Sequence, residues 1–215
     1  KNPADIIEPV NISELTFKIS AANSSDGQDI ILKPFFDIHH QFYNVYWDLD
    51  KESDTYEKAL NKITVDRTEP DGQQDELAHD MACESSHNGS FASGTKTYFW
   101  RDAFGTDSAY FSYSLGVDNT KDNYLYVRYW GDDTAFESDG KTYNRQFDIF
   151  IDDIKLSSQR LNADKPGTFF DVFYQIPADL LNGKERVIVK FAPENSDCCA
   201  GRVLEIRTTT EALSK

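Results

Sequence analysis

Seven residues in and around one polar loop have the side chains that proteins use to bind sugars. Aromatic rings stack on the C–H faces of sugars, while arginine and aspartate hydrogen-bond to the hydroxyls. The loop, residues 131–144, is polar and contains glycine, which is typical of a surface loop. For each tryptophan taken separately, a place in the hydrophobic core is a slightly favoured alternative. The candidate carbohydrate-binding residues are Trp100, Arg101, Trp130, Asp132, Asp133, Tyr143 and Arg145.

Paired carboxylates in the same region suggest general acid and base chemistry on a glycoside. In a chain with 37 acidic residues, however, such pairs arise from composition, so we interpret them as turn residues and solvated faces. Residues 131–140 are a weaker candidate for calcium, which takes oxygen ligands, and we expect no other cofactor. The pairs are Asp132 with Asp133 and Asp152 with Asp153, with Asp148 nearby.

Asp37, His39 and His40 invite a metal hypothesis, because residues i and i+2 of a strand point the same way. No further ligand is evident near them in the sequence. We therefore favour imidazoles that are hydrogen-bonded where two modules meet, and we predict no metal site.

Alternating hydrophobicity predicts an all-β chain. Residues 124–130 alternate with a period of two and place Leu125, Val127 and Tyr129 on one face, and residues 146–151 repeat the pattern. Short strands divided by turns at this spacing are typical of an antiparallel β-sandwich. The eight predicted strands after residue 77 are 97–100, 110–117, 124–130, 146–151, 155–161, 168–176, 186–191 and 203–208.

The first third of the chain has a mixed pattern. Residues 15–19 and 30–32 predict a hairpin, and residues 42–47 predict a further strand. One amphipathic helix is predicted within residues 52–65, with Tyr56, Ala59, Leu60 and Ile63 on its apolar face. The polar connection at 68–74 is the best domain boundary. We therefore predict a β block with one helix, residues 1–74, and a β-sandwich, residues 75–215; the block is an incomplete sandwich that packs against a neighbour in the full protein.

Composition limits the partners. The formal net charge of −15 repels nucleic-acid phosphates and anionic membranes, so neither is expected. No apolar run approaches the length of a membrane span. The chain begins at Lys1 with no signal-type apolar stretch, so we expect a processed or excised piece of a larger protein.

Several motifs resemble a known family. Residues 34–47 resemble the segment that follows the catalytic barrel in bacterial glycoside hydrolase family 127, the β-L-arabinofuranosidase-like family. Residues 100–103, 129–132, 147–149, 165–171 and 182–184 are similar in order and spacing to the galactose-binding-like jelly-roll module at the C-terminus of many members. Phe42 departs from the pattern, because the family more often has arginine there.

The resemblance implies a non-catalytic region. In that family the chemistry is retaining glycoside hydrolysis with a zinc-bound cysteine, and the ligands, a Glu-x-Cys and a Cys-Cys pair, lie in an upstream helical barrel. The adjacent Cys198 and Cys199, together with Cys83 and Glu84, superficially match that zinc set. The flanking residues differ, so we favour loop cysteines or one disulfide from Cys83 to the pair.

Three functions follow as expectations. The first is an accessory region of a periplasmic or extracellular glycoside hydrolase, which supports the upstream catalytic domain of the same chain and contacts plant-type oligosaccharides. The second is an autonomous carbohydrate-binding module. A stand-alone glycosidase is the least favoured, because no nucleophile, base and orienting group assemble from these motifs.

Overall fold

The computed structural model describes residues 10–13, 16–20, 29–32, 55–94, 96–181 and 183–213. The chain divides into two compact units, Lys1–Asp54 and Thr55–Lys215. In the first, β1 (Val10–Ser13), β2 (Thr16–Ser20) and β3 (Asp29–Leu32) form an antiparallel sheet in that order. This confirms the predicted hairpin, in which Phe17 is opposite Leu32. The predicted strand at 42–47 and the group Asp37, His39 and His40 lie outside the described residues.

The second unit consists mainly of β-strands. Within its described residues, three short helices accompany them: α1 (Thr55–Ile63), α2 (Gln73–Ala78) and α3 (Ala178–Leu181). None of the helices in the described ranges is long and apolar enough to cross a membrane. The strands are β4 (Thr64–Thr68), β5 (Ala82–Glu84), β6 (Ser86–Ser93), β7 (Lys96–Ala103), β8 (Tyr110–Gly116), β9 (Asn123–Trp130), β10 (Phe136–Ser138), β11 (Lys141–Tyr143), β12 (Gln146–Ile151), β13 (Ile154–Arg160), β14 (Phe169–Ile176), β15 (Arg186–Pro193), β16 (Ala200–Val203) and β17 (Glu205–Thr209).

Two sheets form the sandwich. The larger has the strand order β13-β12-β15-β8-β5, and the smaller has the order β14-β9-β17-β4. A third sheet, β16-β7-β6, and the hairpin β10-β11 complete the unit. Every pairing between these strands is antiparallel. The predicted all-β, antiparallel β-sandwich of the jelly-roll class is therefore confirmed.

The inner faces of the two main sheets share one hydrophobic core. On β9, Leu125, Val127 and Tyr129 are fully buried, as their alternation predicts. On β12, Phe147 and Ile149 are fully buried in the same cluster. Burying each such side chain contributes about 1.5–3 kcal/mol, so the period-two pattern accounts for much of the driving force for folding.

Helix α1 forms as the sequence predicts, but it lies in the same compact unit as the sandwich. The prediction of domains at 1–74 and 75–215 assigned this helix and β4 to the N-terminal block. The physical reason for the difference is Arg207 of β17, which is fully buried and donates a 2.6 Å hydrogen bond to Asn61 of α1. Arg207 also pairs with Glu57 of the same helix. A buried guanidinium needs such partners, and α1 provides them.

Candidate functional site

Four aromatic rings from four strands meet at the surface. Phe91 and Tyr98 are cross-strand partners in the hairpin β6-β7, and Trp130 and Phe169 are cross-strand partners in β9-β14. The ring centroids of Tyr98 and Phe169 lie 4.3 Å apart, and those of Phe91 and Trp130 lie 5.4 Å apart. The Trp130 and Phe169 centroids are 4.7 Å apart. All four side chains are only partly buried. We call this group, Phe91, Tyr98, Trp130 and Phe169, the aromatic platform.

The platform shows where Trp130 lies. From the sequence, both a place in the hydrophobic core and a place at the surface were possible for this residue. The ring packs against other aromatic rings and still reaches solvent. The sequence singled out Trp130 but missed Phe91, Tyr98 and Phe169. Tyr98 and Phe169 lie in predicted strands, yet nothing in a single sequence shows that these strands meet at the surface.

Trp100 is also partly buried, on β7. Residues i and i+2 of a strand share a face, so Trp100 lies on the same side of the hairpin as Tyr98. A Cβ atom at Gly89 would lie 2.6 Å from the Trp100 ring, so only glycine fits beneath it. The guanidinium of Arg202 lies over the ring, 4.7 Å from its centroid. Trp100 is thus held in place beside the platform.

Arg101 lies on the opposite face of β7 and is 7% exposed. Its Nε and Nη2 atoms each donate a 2.7 Å hydrogen bond to Glu76 of α2, and Nη1 donates to Ser86 at 3.2 Å. The hydroxyl of Tyr113 donates to the same Glu76 carboxylate at 2.8 Å. Every guanidinium nitrogen of Arg101 therefore has a partner, and the side chain fastens α2 to the sheets instead of facing the platform.

Arg145 and Asp133 lie beneath the loop. Arg145 is 4% exposed, and its Nη1 atom donates to the carbonyl of Gly201 at 2.8 Å and lies 3.4 Å from Asp102. Asp133 is 5% exposed and lies 3.5 Å from Arg202. Burial raises the pKa of both carboxyl groups above their usual value. These four residues, Asp102, Arg145, Asp133 and Arg202, balance each other's charges and form what we call the buried charge cluster.

Tyr143 is 7% exposed and packs among aromatic rings, 4.8 Å from the Phe104 centroid and 5.7 Å from that of Phe136. Asp132 is exposed and accepts a 3.0 Å hydrogen bond from the backbone of Gly167. Of the seven predicted residues, the structure therefore leaves Trp130, Trp100 and Asp132 in reach of solvent, and it places Arg101, Asp133, Tyr143 and Arg145 in the interior.

Gly131 allows the loop to pass closely over its neighbour. A Cβ atom at this position would lie only 1.8 Å from the carbonyl oxygen of Lys165. The Gly131 backbone donates a 2.9 Å hydrogen bond to Thr168 and accepts one of 3.3 Å from Lys165. This contact holds the residues after β9 against those before β14, and it sets Asp132 at the edge of the platform.

The loop carboxylates do not converge as a calcium site requires. Asp132 faces the Gly167 backbone, whereas Asp133 turns inward to Arg202. Within the described part of the chain, no group of three or more His, Cys, Asp or Glu residues has the arrangement that a metal needs. Asp152 and Asp153 have positive φ angles of 46° and 65°, which agrees with their interpretation as turn residues.

All three cysteines are free thiols, so the disulfide from Cys83 to the pair is absent. Cys83 is exposed on the edge strand β5, whereas Cys198 and Cys199 are buried. Burial raises the pKa of the Cys199 thiol well above its usual value and also raises that of Cys198. A protonated thiol is a poor nucleophile, because the thiolate is the reactive form.

Comparisons with solved structures find distant likenesses. The ANX1 ectodomain from Arabidopsis thaliana matches with 14% identity and a TM-score of 0.44 over 62% of this chain, which spans only 35% of that ectodomain. A family 35 carbohydrate binding module from Clostridium thermocellum matches with 12% identity and a TM-score of 0.43, over 61% of this chain and 93% of the module.

A carbohydrate-binding module CBM36, solved in complex with calcium and xylotriose, matches with 13% identity and a TM-score of 0.38, over 66% of this chain and 98% of the module. No curated protein sequence matches the chain. A family model matches residues 59–209, which include α1 from its fifth residue and every strand from β4 to β17. The chain belongs to this family, DUF6805, which is described as a family of unknown function.

Proposed function

We propose that this chain is a non-catalytic β-sandwich region that contacts carbohydrate through the aromatic platform. The observation that carries the proposal is the meeting of Phe91, Tyr98, Trp130 and Phe169 at the surface, with each ring only partly buried. Exposed clusters of large aromatic side chains mark binding surfaces in soluble proteins. A sugar suits such a surface because its C–H faces stack on rings while its hydroxyls remain in water.

Polar groups at the edge of the platform complement the rings. Asp132 offers carboxylate oxygens to sugar hydroxyls and is exposed. The Tyr98 side chain adds a hydroxyl that both donates and accepts hydrogen bonds. The platform is shallow, so little ligand area is desolvated, and we expect a weak dissociation constant of about 0.1–1 mM.

The wider context in this proposal is a secreted glycoside hydrolase. The motif resemblance supports an accessory region that supports an upstream catalytic domain in the periplasm or outside the cell, with plant-type oligosaccharides as ligands. The arrangement of Cys83, Glu84, Cys198 and Cys199 supports a non-catalytic role, because these described residues do not form the group of three or more metal-binding side chains that the zinc chemistry of that family needs. Hydrolysis of aryl arabinofuranosides by this chain alone would contradict that role.

Titration with arabinan and galactan oligosaccharides, followed by amide chemical shifts, tests the contact. We expect shifts in residues 89–100, 130–132 and 167–170, and their loss in Trp130→Ala and in Tyr98→Ala. Phe150→Ala is the matched control, because Phe150 is a partly buried aromatic residue on β12 of the other sheet. Absence of shifts at 10 mM oligosaccharide, roughly tenfold above the weaker expected constant, would overturn the proposal.

A further inference from the structure

A pocket of about 300 Å³ lies beside the aromatic platform, along the edge strand β14. Its walls include the rings of Phe169, Phe170, Phe173 and Tyr56. Phe169 is also a member of the platform, so the platform and the pocket share one ring. The volume is at the lower end of the range for small-ligand pockets. One ligand can therefore contact both at once if it has at least two connected units.

Among the described residues, the charged side chains that line this pocket are Asp171 and Lys165. The Asp171 side chain is 2% exposed and accepts hydrogen bonds from Arg128 at 2.8 and 3.4 Å. Tyr56 is neutral, because burial and the nearby Asp171 raise its pKa to about 12. Arg128 thus compensates the negative charge of Asp171, and the hydroxyl of Tyr56 carries no charge.

Lys165 differs from Asp171. Its side chain is exposed, and its ammonium group lies over the face of Phe170, 4.6 Å from the ring centroid. Among the residues that the structure describes, no carboxylate lies within 4.0 Å of this ammonium. In the part of the chain that the structure describes, the pocket therefore presents aromatic walls and, at its rim, the ammonium group of Lys165 without a carboxylate partner. A ligand that complements it has a ring with C–H faces and a carboxylate.

We propose that this pocket binds the uronic acid unit of an acidic glycan, with Lys165 as the counterion of its carboxylate, while an adjacent sugar unit stacks on the aromatic platform. The proposal rests on the proposed carbohydrate contact and adds the class of sugar and the residue that selects it. A uronate has the required C–H faces and carries its charge at neutral pH.

The chain's net charge of −15 does not conflict with this selection. Salt screens exposed charges beyond about 8 Å at physiological ionic strength, so distant carboxylates act weakly on a bound uronate. An ammonium in contact with the carboxylate acts at a few ångströms. We therefore expect the preference for the acidic ligand to decrease with added salt, because the contact is exposed.

The test compares trigalacturonic acid with its fully methyl-esterified form by calorimetric titration at pH 7. The two ligands differ only in whether each unit carries a carboxylate or a neutral ester. The full chain should bind the acid about 1.5- to fivefold more tightly, the range for an exposed charge contact. Lys165→Gln should bring the two affinities together.

Lys121→Gln is the matched control, because it also removes one positive charge from a lysine side chain that is 61% exposed. It should keep the preference of the wild type. Equal binding of both ligands, still sensitive to Trp130→Ala, would overturn the uronate pocket and leave the carbohydrate contact standing. A preference for the acid that persists in Lys165→Gln would also overturn it. Failure of these ligands and of the arabinan and galactan oligosaccharides to bind would overturn both proposals.

Discussion

The buried charge cluster shows what a single residue contributes to this fold. Arg145 and Asp102 have side chains that are each 3% exposed, and no solvent is available to either if its partner is removed. Breaking a buried pair from one side leaves an uncompensated charge, which costs about 3–5 kcal/mol. We expect Arg145→Met to lower the free energy of unfolding by about that amount in urea denaturation.

The ion pair of the exposed Lys155 with the partly buried Asp148, 2.8 Å apart, provides the comparison for Arg145. The Lys155 side chain is 50% exposed, so Lys155→Met should change the free energy of unfolding by less than about 1 kcal/mol. Similar losses in the two variants would show that burial does not set the cost.

His79 makes stability depend on pH. Its ring nitrogens lie 2.6 Å from the Asp75 carbonyl and 3.1 Å from the Asp66 carboxylate, positions that suit the doubly protonated ring. Burial alone lowers the pKa of His79, but these hydrogen bonds outweigh it and raise the pKa above 6.5. For Asp66, burial acts to raise the pKa, but His79 and the Gly116 backbone outweigh it and hold the pKa below 3.8, so this carboxylate stays ionised above pH 6.

Because the folded pKa of His79 exceeds the unfolded one, its contribution is complete below about pH 6.5 and is lost as the pH rises through the folded value. We expect wild-type protein to lose more free energy of unfolding between pH 6 and pH 9 than His79→Gln does, measured by urea denaturation. His87→Gln is the control. His79 is intact in this variant, so the loss of free energy of unfolding that His79 causes between pH 6 and pH 9 should remain. Equal losses in His79→Gln and in the wild type would contradict the assignment.

At the scale of secondary structure, the sequence predicted the elements whose signal is local. Alternation on β9 and β12 and the apolar face of α1 depend on neighbours in the chain, so they could be read without a structure. The partners of Arg101 could not, because Glu76 is 25 residues away and α2 has too little apolar periodicity to be predicted as a helix. Phe91 and Phe169 of the platform are similarly brought together only because two different sheets, formed by segments distant in the chain, pack next to each other.

The position of α1 and β4 leads to a prediction about truncated proteins. β4 pairs with β17, and α1 supplies Asn61 and Glu57 to the buried guanidinium of Arg207. Removing both elements takes Asn61 and Glu57 away from this guanidinium, leaves Glu205 of β17 as its charged partner, and exposes an edge of the four-stranded sheet. We expect a protein of residues 55–213 to unfold cooperatively, and one of residues 75–213 to be destabilised by more than about 3 kcal/mol or to remain unfolded, as measured by circular dichroism.

If the domain boundary lies near residue 74, as the sequence predicts, the protein of residues 75–213 should instead be as stable as the protein of residues 55–213. Equal stability of the two truncated proteins would show that α1 and β4 are dispensable, and it would restore the division at 1–74 and 75–215. Arg207→Met in the shorter protein separates the two effects of truncation. If the loss of Asn61 and Glu57 as partners of the buried guanidinium is the main cost, this substitution should recover part of the lost stability.

At the scale of the whole molecule, folding and ligand binding depend on the same contacts. The four platform rings belong to β6, β7, β9 and β14, which lie in two different sheets. Their arrangement therefore exists only when the β6-β7 hairpin and the four-stranded sheet have both formed. A ligand of the platform binds the folded chain and not the unfolded one, so it must stabilise the fold by mass action.

This linkage predicts the size of a thermal shift. For dissociation constants of 0.1–1 mM, 10 mM of an arabinan or galactan oligosaccharide should stabilise the fold by about 1.4–2.7 kcal/mol. In a unit of this size that corresponds to a rise in Tm of about 3–10 °C, measured by scanning calorimetry. Trp130→Ala should abolish the rise in Tm. Phe150→Ala should lower the Tm measured without sugar, but the oligosaccharide should still raise it by the same amount. The variant lacks only the Trp130 ring of the platform. A rise in Tm that survives in Trp130→Ala would therefore mean that the sugar binds away from the platform.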